Sequence, residues 1–127
     1  MTQQQAMVVD DSRAMRLILG DLMQGLGFDV SEATNGREAL ALLEASSAVP
    51  KLALVDWNMP EMNGLELIKA LRSRHCYDVM KVLVVTSEAE IGHMMEAIAA
   101  GADEYLMKPF SSDALITKLE MMGVTHR

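Results

Sequence analysis

The stretch that most constrains the fold is an apolar run that ends in an acid and is followed by helix-breaking residues. Residues 52–55 are apolar without interruption, which predicts a strand buried on both faces, and Asp56 stands where that strand ends. The next eight residues contain two asparagines, a proline and a glycine, and a helical pattern then begins at Leu65. A strand, an acid, a loop and a helix in this order are typical of an active site at the carboxyl edge of a parallel sheet.

The same succession of strand and helix repeats along the chain. Strands are predicted at residues 6–9, 28–31, 52–56, 82–85 and 104–107. Helices with one apolar face are predicted after Ser12 as N-cap, at about 37–45, at about 65–73, from Ile91 to the glycine at 101, and after Ser111 as N-cap. This alternation predicts an α/β fold, a single-domain flavodoxin-like (βα)5 three-layer sandwich whose parallel five-stranded sheet has the order 2-1-3-4-5.

Length and composition limit the class of protein. The chain has 127 residues and no linker, low-complexity tract or internal repeat, so residues 1–127 are expected to form one domain, with about 5–122 as its structured core and no output domain. A formal charge of −7 argues against binding to nucleic acid or to an anionic membrane. The chain shows no secretory signal and has a single cysteine, Cys76, so we expect a cytoplasmic protein, and a monomer.

Polar residues with a shared chemistry follow four of the predicted strands. They are Asp10 and Asp11 after the first strand, Asp56 after the third, Thr86 after the fourth and Lys108 after the fifth. Because the carboxyl ends of parallel strands meet at one edge of the sheet, we expect these side chains to lie together. Three neighbouring carboxylates repel each other unless a cation joins them, and acid oxygens are the ligands that Mg²⁺ prefers.

This set of residues suits a phosphoryl group placed next to a carboxylate. If Asp56 attacks a phosphoryl group as a nucleophile, it forms an acyl phosphate. Magnesium, the charge of Lys108 and the hydroxyl of Thr86 then neutralise the phosphoryl oxygens, which is how phosphoryl-transfer sites mainly work. Each residue alone is weak evidence, since adjacent aspartates are often only a solvated loop, but their position at four strand ends favours one common site.

The sequence resembles the receiver domain of two-component response regulators, and within that family the stand-alone chemotaxis receivers of the CheY type. The resemblance covers essentially the whole chain. Its motifs are Val-Val-Asp-Asp-Ser at residues 8–12, Asp-Trp-Asn-Met-Pro-Glu-Met-Asn-Gly at 56–64, Val-Val-Thr-Ser-Glu-Ala at 84–89 and Tyr-Leu-Met-Lys-Pro-Phe at 105–110. It implies a phosphorylation-dependent signalling switch rather than an enzyme, with a histidine kinase (CheA-like or other) as phosphodonor and a protein target downstream.

The resemblance also implies a role for each metal-site residue. Asp56 corresponds to the phosphoacceptor and also contacts the metal. Asp11 corresponds to a direct magnesium ligand and Asp10 to one that acts mostly through water. The backbone carbonyl of Asn58 corresponds to the third protein ligand.

The resemblance also implies roles for the residues that contact the phosphoryl group or respond to it. Thr86 and Lys108 are expected to contact it. Thr86 and Tyr105 are the expected switch pair, in which the threonine moves toward the phosphate and the tyrosine ring turns inward, altering the face formed by the fourth helix, fifth strand and fifth helix. The peptide between Lys108 and Pro109 is expected to be cis.

Two polar positions, and one segment that differs from the pattern of the family, refine this interpretation. Asn58 and Glu88 correspond to positions that flank the hydrolytic water, which predicts relatively rapid self-dephosphorylation. Residues 89–93 contain no lysine or arginine, whereas the motor-binding chemotaxis members carry basic residues there, which argues against the flagellar motor switch as the target. His93 is interpreted as a surface side chain.

Three other functions remain alternatives at this stage. A small aspartyl-phosphate hydrolase would also place a nucleophilic acid after a strand, but such phosphatases carry a second acid where this chain has Asn58. A flavodoxin-like cofactor carrier would need hydroxyls and glycines after the first strand, where the chain has Asp10 and Asp11. A phosphorylation-independent adaptor would have an incomplete site, and here every site residue is present.

Overall fold

The alternating pattern folds into five strands and five helices in a computed structural model, which describes residues 4–124. The strands are β1 (Gln4–Val9), β2 (Phe28–Ala33), β3 (Leu52–Asp56), β4 (Lys81–Ser87) and β5 (Glu104–Lys108). The helices are α1 (Arg13–Gly25), α2 (Gly36–Ala45), α3 (Gly64–Arg72), α4 (Met94–Ala100) and α5 (Ser112–Met121). Short 3₁₀ segments span His75–Tyr77 and Glu88–His93. No helix within residues 4–124 is long and apolar enough to cross a membrane.

The five strands form one parallel sheet in the order β2-β1-β3-β4-β5, which confirms the predicted fold class. The register pairs Val9 with Val55 and Asp56 with Val85, so β1 and β3 end within one residue of each other, and β4 continues for two more residues to Ser87. β5 ends there too, because Lys108 pairs with Ser87. We call this end of the sheet the carboxyl edge and the opposite end the amino edge.

Two separate apolar cores cover the two faces of the sheet. On one face Val55 and its neighbours pack against Ile68 of α3 and Ala97 of α4. On the other face Leu54 and its neighbours pack against Leu19 of α1 and Leu115 of α5. Because consecutive strand residues face opposite sides, the uninterrupted apolar run of β3 serves both cores, as a strand buried between two helical layers requires.

Short polar side chains close the helix N-termini. Ser12 accepts a hydrogen bond from the backbone N–H of Met15 and Ser111 accepts one from that of Ala114, which confirms both predicted caps. Asn63 begins α3 with a reciprocal capping box to Glu66. The sequence therefore fixes where α1 and α3 begin, and these are the two helices that directly follow the site loops after β1 and β3.

Three local features differ from the sequence prediction. The predicted fourth helix begins as a six-residue 3₁₀ segment, and only Met94–Ala100 is α-helical. Ile18 belongs by its spacing to the predicted apolar face of the first helix, but it is half exposed, because the sheet covers only the part of that face that contains Leu19 and Met23. The segment between the predicted third helix and the predicted fourth strand is not only loop, since it contains a 3₁₀ turn that buries Tyr77.

Arg72 joins several elements near the amino edge. Its guanidinium donates hydrogen bonds to the carbonyl oxygens of Gly101, Tyr77 and Met80 at 2.8–2.9 Å, and to the carboxylate of Asp103 at 3.0 Å. The Arg72 stem also fills the space beside Gly101, whose φ of +120° and lack of a side chain allow this approach. The end of α4 is therefore fixed to α3.

Candidate functional site

Three carboxylates lie together at the carboxyl edge. Oxygens of Asp10, Asp11 and Asp56 are within 4.8 Å of one another. Asp10 and Asp56 are buried, with 1% and 6% of their surface exposed, whereas Asp11 is exposed to solvent. Of the residues that the structure describes, these form the one cluster of acids, histidines or cysteines with such spacing.

Asp10 is held firmly but has one unused oxygen. Its Oδ1 accepts a hydrogen bond from the backbone N–H of Ser12 at 2.9 Å, and its backbone carbonyl accepts one from Nη1 of Arg16 at 2.7 Å. Its Oδ2 is buried and has no hydrogen-bond partner within residues 4–124. The ammonium nitrogen Nζ of Lys108 lies 3.8 Å from this oxygen, which gives charge attraction without a hydrogen bond.

Lys108 brings the positive charge that the sequence predicted. Its Nζ lies 3.3 Å from Oδ1 of Asp56. The lysine reaches the site from the end of β5, two strands away from β3, and the peptide that follows it, Lys108–Pro109, is cis as expected.

The charges of the cluster are not fully balanced. Burial, and to a lesser extent the nearby charge of Asp10, raise the pKa of Asp56 to about 6, although Lys108 acts against both. Burial also raises the pKa of Asp10, and the hydrogen bond from Ser12 and the charge of Lys108 act against it. One lysine therefore does not compensate for the buried acids, and a further cation would be stabilised here.

The donor set fits a magnesium ion. The available ligands are carboxylate oxygens, which Mg²⁺ prefers. In addition, Oδ2 of Asp10 is a buried acceptor without a hydrogen bond, and burying such an atom costs free energy unless a cation or a water molecule binds to it. Asp11 is exposed and adds an oxygen on the solvent side. Asn58 lies in the loop two residues after Asp56, close enough in sequence to add its backbone carbonyl.

Thr86 and Tyr105 lie on the same face of neighbouring strands. Val84 pairs with Tyr105 in the β4–β5 register, so Thr86 is the next residue of β4 on that face. Thr86 is fully buried, and its hydroxyl makes only a long contact of 3.4 Å to the carbonyl of Ser87. The Tyr105 ring is half buried and lies under the ammonium group of Lys118, 4.3 Å from the ring centroid.

The loop after Asp56 depends on a close backbone approach. A Cβ atom on Gly64 would lie 2.7 Å from the carbonyl oxygen of Asp56 and 3.0 Å from Cα of Trp57. The backbone N–H of Gly64 instead donates a hydrogen bond to the carbonyl of Trp57 at 2.9 Å. Glu61 has a positive φ of 67°, which is uncommon outside glycine and marks a tight turn. The sequence predicted a loop here but not its contact with the first turn of α3.

One contact beside the site has no signal in the sequence. The rings of Trp57 and His93 are stacked, with centroids 5.4 Å apart and an angle of 16° between their planes. Trp57 belongs to the motif at residues 56–64, and His93 is exposed, which confirms that it is a surface side chain. No pattern in the sequence relates two residues that are 36 positions apart and lie on different elements. Glu88 begins the 3₁₀ segment after β4, and its side chain lies outside the described part of the structure.

An open parallel α/β sheet with an acid cluster and a lysine at its carboxyl edge defines a class of proteins suited to handling a phosphoryl group. The sequence matches the response regulator receiver domain over residues 6–120, and the chain belongs to this family. The family is the one that the sequence motifs resembled.

Curated relatives and a solved structure agree with this assignment. The chain is 44% identical over 115 residues to a chemotaxis protein CheY homolog of Campylobacter jejuni, which covers 90% of this chain and 88% of that protein. It is 41% identical over 121 residues to the chemotaxis protein CheY1 of Helicobacter pylori, covering 94% and 97%. The crystal structure of the chemotaxis response regulator CheY4 of Vibrio cholerae superimposes with a TM-score of 0.85 at 34% identity, covering 95% and 99%.

Proposed function

We propose that this receiver domain is a phosphorylation-dependent switch in chemotaxis or related two-component signalling, with Asp56 as the phosphoacceptor. The observation that carries the proposal is the position of the Asp56 carboxylate, which is buried beside two further acids and 3.3 Å from the ammonium group of Lys108. A partner histidine kinase is the phosphodonor. The resemblance to chemotaxis proteins over nine tenths of the chain supports the pathway.

The chemistry follows from the residues around Asp56. An oxygen of the Asp56 carboxylate attacks the phosphorus of a phosphohistidine, the P–N bond breaks, and the imidazole of the kinase leaves with its electron pair and takes up a proton. Lys108 and the hydroxyl of Thr86 contact the oxygens of the transferred group. Burial of Asp56 limits its contact with water, so these fixed charges and dipoles act at higher strength than they would in solvent.

The residues proposed to hold magnesium are Asp10, Asp11, Asp56 and the backbone carbonyl of Asn58. A bound Mg²⁺ supplies positive charge beside the phosphoryl oxygens. The unpartnered Oδ2 of Asp10 supports this assignment, because a buried carboxylate oxygen is stabilised by a cation.

The readout proposed for the switch is the surface of α4, β5 and α5. Met95 and Ile98 of α4 are exposed, at 85% and 46%, and with Tyr105 they line a groove of about 520 Å³. Movement of Thr86 toward a phosphoryl group would leave space for Tyr105, whose cation–π contact with Lys118 would then break. Hydrogen exchange of residues 94–108 should change on phosphorylation of the wild type and not of Asp56→Asn.

We also propose that the phosphoryl group is lost relatively rapidly without a partner. Asn58 is exposed in the loop next to Asp56, and a polar residue there leaves the acyl phosphate open to water. Glu88, two residues after Thr86, is the second position proposed to set the lifetime. Replacing both with bulky or basic residues should lengthen the phosphate lifetime, and an unchanged lifetime would contradict this part of the proposal.

The experiment that tests the main proposal is phosphorylation by a small phosphodonor. Purified protein is incubated with acetyl phosphate and Mg²⁺, and the added mass of one phosphoryl group is measured by intact mass spectrometry. The expected result is modification of the wild type and none of Asp56→Asn. Modification that persists in Asp56→Asn would overturn the assignment of the acceptor. An unmodified wild type would favour a phosphorylation-independent adaptor, and fast turnover of unrelated phosphomonoesters a hydrolase.

A further inference from the structure

The stack between Trp57 and His93 connects two parts of the molecule that both follow directly from the proposed phosphorylation site. Trp57 is the residue after Asp56, and its backbone is fixed by the close approach of Gly64. His93 is the last residue of the 3₁₀ segment Glu88–His93, which follows β4 and the buried Thr86. The stack therefore bridges the loop after β3 and the start of α4.

The 3₁₀ segment is fixed at both of its ends. At its start the Ser87 hydroxyl donates a hydrogen bond to the carboxylate of Glu90 at 3.0 Å, and the Ser87 backbone N–H lies 3.4 Å from the same oxygen. At its end His93 is the N-cap residue of α4, but its side chain makes no capping hydrogen bond. The end of the segment is thus attached to another part of the fold through the stack of the His93 ring on Trp57.

The conformation of this segment makes such a contact consequential. Runs of 3₁₀ helix longer than three or four residues are uncommon, because their hydrogen bonds are poorly aligned, and this run has six residues. The rise per residue is about 2.0 Å in a 3₁₀ helix and about 1.5 Å in an α-helix, so winding six residues into α-helix shortens the segment by about 3 Å. A change of this size at the end of the segment is comparable with the 5.4 Å between the Trp57 and His93 ring centroids, so it would disturb the stack.

We propose that His93 is a positioning residue that, through its stack on Trp57, holds the segment Glu88–His93 against the loop that directly follows the proposed phosphorylation site. Its ring is parallel to an indole of which only 9% is exposed, although the His93 side chain is itself 56% exposed. With the segment held, water reaches the acyl phosphate less easily. This inference rests on the proposed phosphorylation of Asp56.

The test compares the phosphate lifetime of His93 variants. Each protein is phosphorylated with acetyl phosphate and Mg²⁺, the donor is removed, and the phosphorylated fraction is followed by intact mass. His93→Ala removes the stack and should shorten the lifetime by about 2- to 10-fold, the range set by the strength of an aromatic pair. His93→Phe keeps a flat ring and should restore the lifetime to within about twofold of the wild type.

Two control variants separate the stack from charge effects. Glu96→Gln removes the partner that lies 3.7 Å from Nδ1 of His93, and should leave the lifetime unchanged. His75→Ala removes a fully exposed histidine that likewise pairs with an acid three residues later, and it should have no effect either. Circular dichroism melts of all variants show whether each protein is folded at the assay temperature.

A spectroscopic readout reports on the stack directly. Trp57 is the single tryptophan of the chain, so its fluorescence reports on its ring environment. The Trp57 emission of His93→Ala should differ from that of the wild type before any phosphodonor is added. Equal lifetimes for the wild type and His93→Ala, whatever their emission, or a failure of His93→Phe to restore the lifetime, would overturn the inference. A wild type that takes up no phosphoryl group would overturn the proposed function itself, and this inference with it.

Discussion

At the scale of single residues, Asp56 combines burial, charge repulsion and reactivity. Its folded pKa of about 6 lies above the ordinary value of 3.8, so the folded protein binds this proton more tightly than the unfolded chain does. This difference determines how the free energy of unfolding changes with pH. Stability from this group is fully present below about pH 4, and it is lost as the pH rises through about 6.

Because the folded protein favours the protonated, neutral form of Asp56, a neutral side chain at this position is predicted to stabilise the protein in the absence of a divalent cation. In EDTA, Asp56→Asn should raise the free energy of unfolding at pH 7.5 by an amount on the order of 3 kcal/mol, and the gain should disappear as the pH approaches 4. Urea denaturation across this pH range measures it. Asp29→Asn, at an exposed position, controls for net charge. A gain that does not depend on pH would contradict the role of burial.

The residue scale is also where the sequence was most informative about the site. Asp10, Asp11, Asp56 and Lys108 could be predicted to lie together because each stands at a strand end or within two residues of one, and the carboxyl ends of parallel strands meet at one edge of the sheet. The sequence could not show that Asp10 would leave an oxygen without a partner. That property depends on atomic packing, which strand and helix patterns do not contain.

At the scale of elements, the contact between β3 and α3 is set by the absence of one side chain. Gly64 is the first residue of α3, and any side chain there would meet backbone atoms of Asp56 and Trp57, which cannot move aside as the end of a flexible side chain could. The position of the site loop is thus determined by how closely α3 begins to β3.

Gly64→Ala should therefore displace the loop and destabilise the fold. The expected loss is about 1–3 kcal/mol in the free energy of unfolding, as for other overpacked positions, together with slower phosphorylation by acetyl phosphate. Gly25→Ala is the matched control, because a Cβ atom at Gly25 would meet no atom within 4 Å. Urea denaturation compares the two variants. Equal stability of both would show that α3 can shift at little cost.

Element types were largely predictable from the sequence, with one instructive exception. Periodicity identified the strands and the helices, and serine caps placed the starts of α1 and α5. Helical spacing of Ile91 and Met94 did not distinguish α-helix from 3₁₀ helix, because both bring residues three positions apart onto one side. Met94 is buried and Met95 is exposed, so only the first of these neighbouring methionines contributes to the core.

At the scale of the whole molecule, the two edges of the sheet differ in how they are stabilised. The carboxyl edge gathers mutually repelling acids, whereas near the amino edge Arg72 satisfies three carbonyl groups and one carboxylate. This network joins α3, the turn at Tyr77 and the end of α4. No sequence pattern predicted it, because its members are up to 31 residues apart.

Replacing Arg72 should therefore lower the free energy of unfolding far more than replacing a surface arginine does. Arg72→Ala leaves partly buried carbonyl groups unpaired and should lower the free energy of unfolding by about 2–4 kcal/mol. Arg74→Ala removes an exposed pair with Glu44 and should leave the denaturation midpoint nearly unchanged. Thermal and urea unfolding provide both values. Similar midpoints for the two variants would show that the network is replaced by water without loss.

The attachment of Gly101 to Arg72 has a consequence for the mechanics of α4. The helix is fixed at its carboxyl end, through the Gly101 carbonyl and the arginine stem beneath it, while its first residue follows the 3₁₀ segment. Any rotation of α4 therefore has its axis near Gly101, and displacement grows along a lever arm of about 10 Å for seven residues. A tilt of about 10° moves the far end of such an arm by about 2 Å. If α4 rotates in this way, the distance between a spin label at Met95 and one on β3 should change more than the distance between a label at Ala100 and the same position on β3.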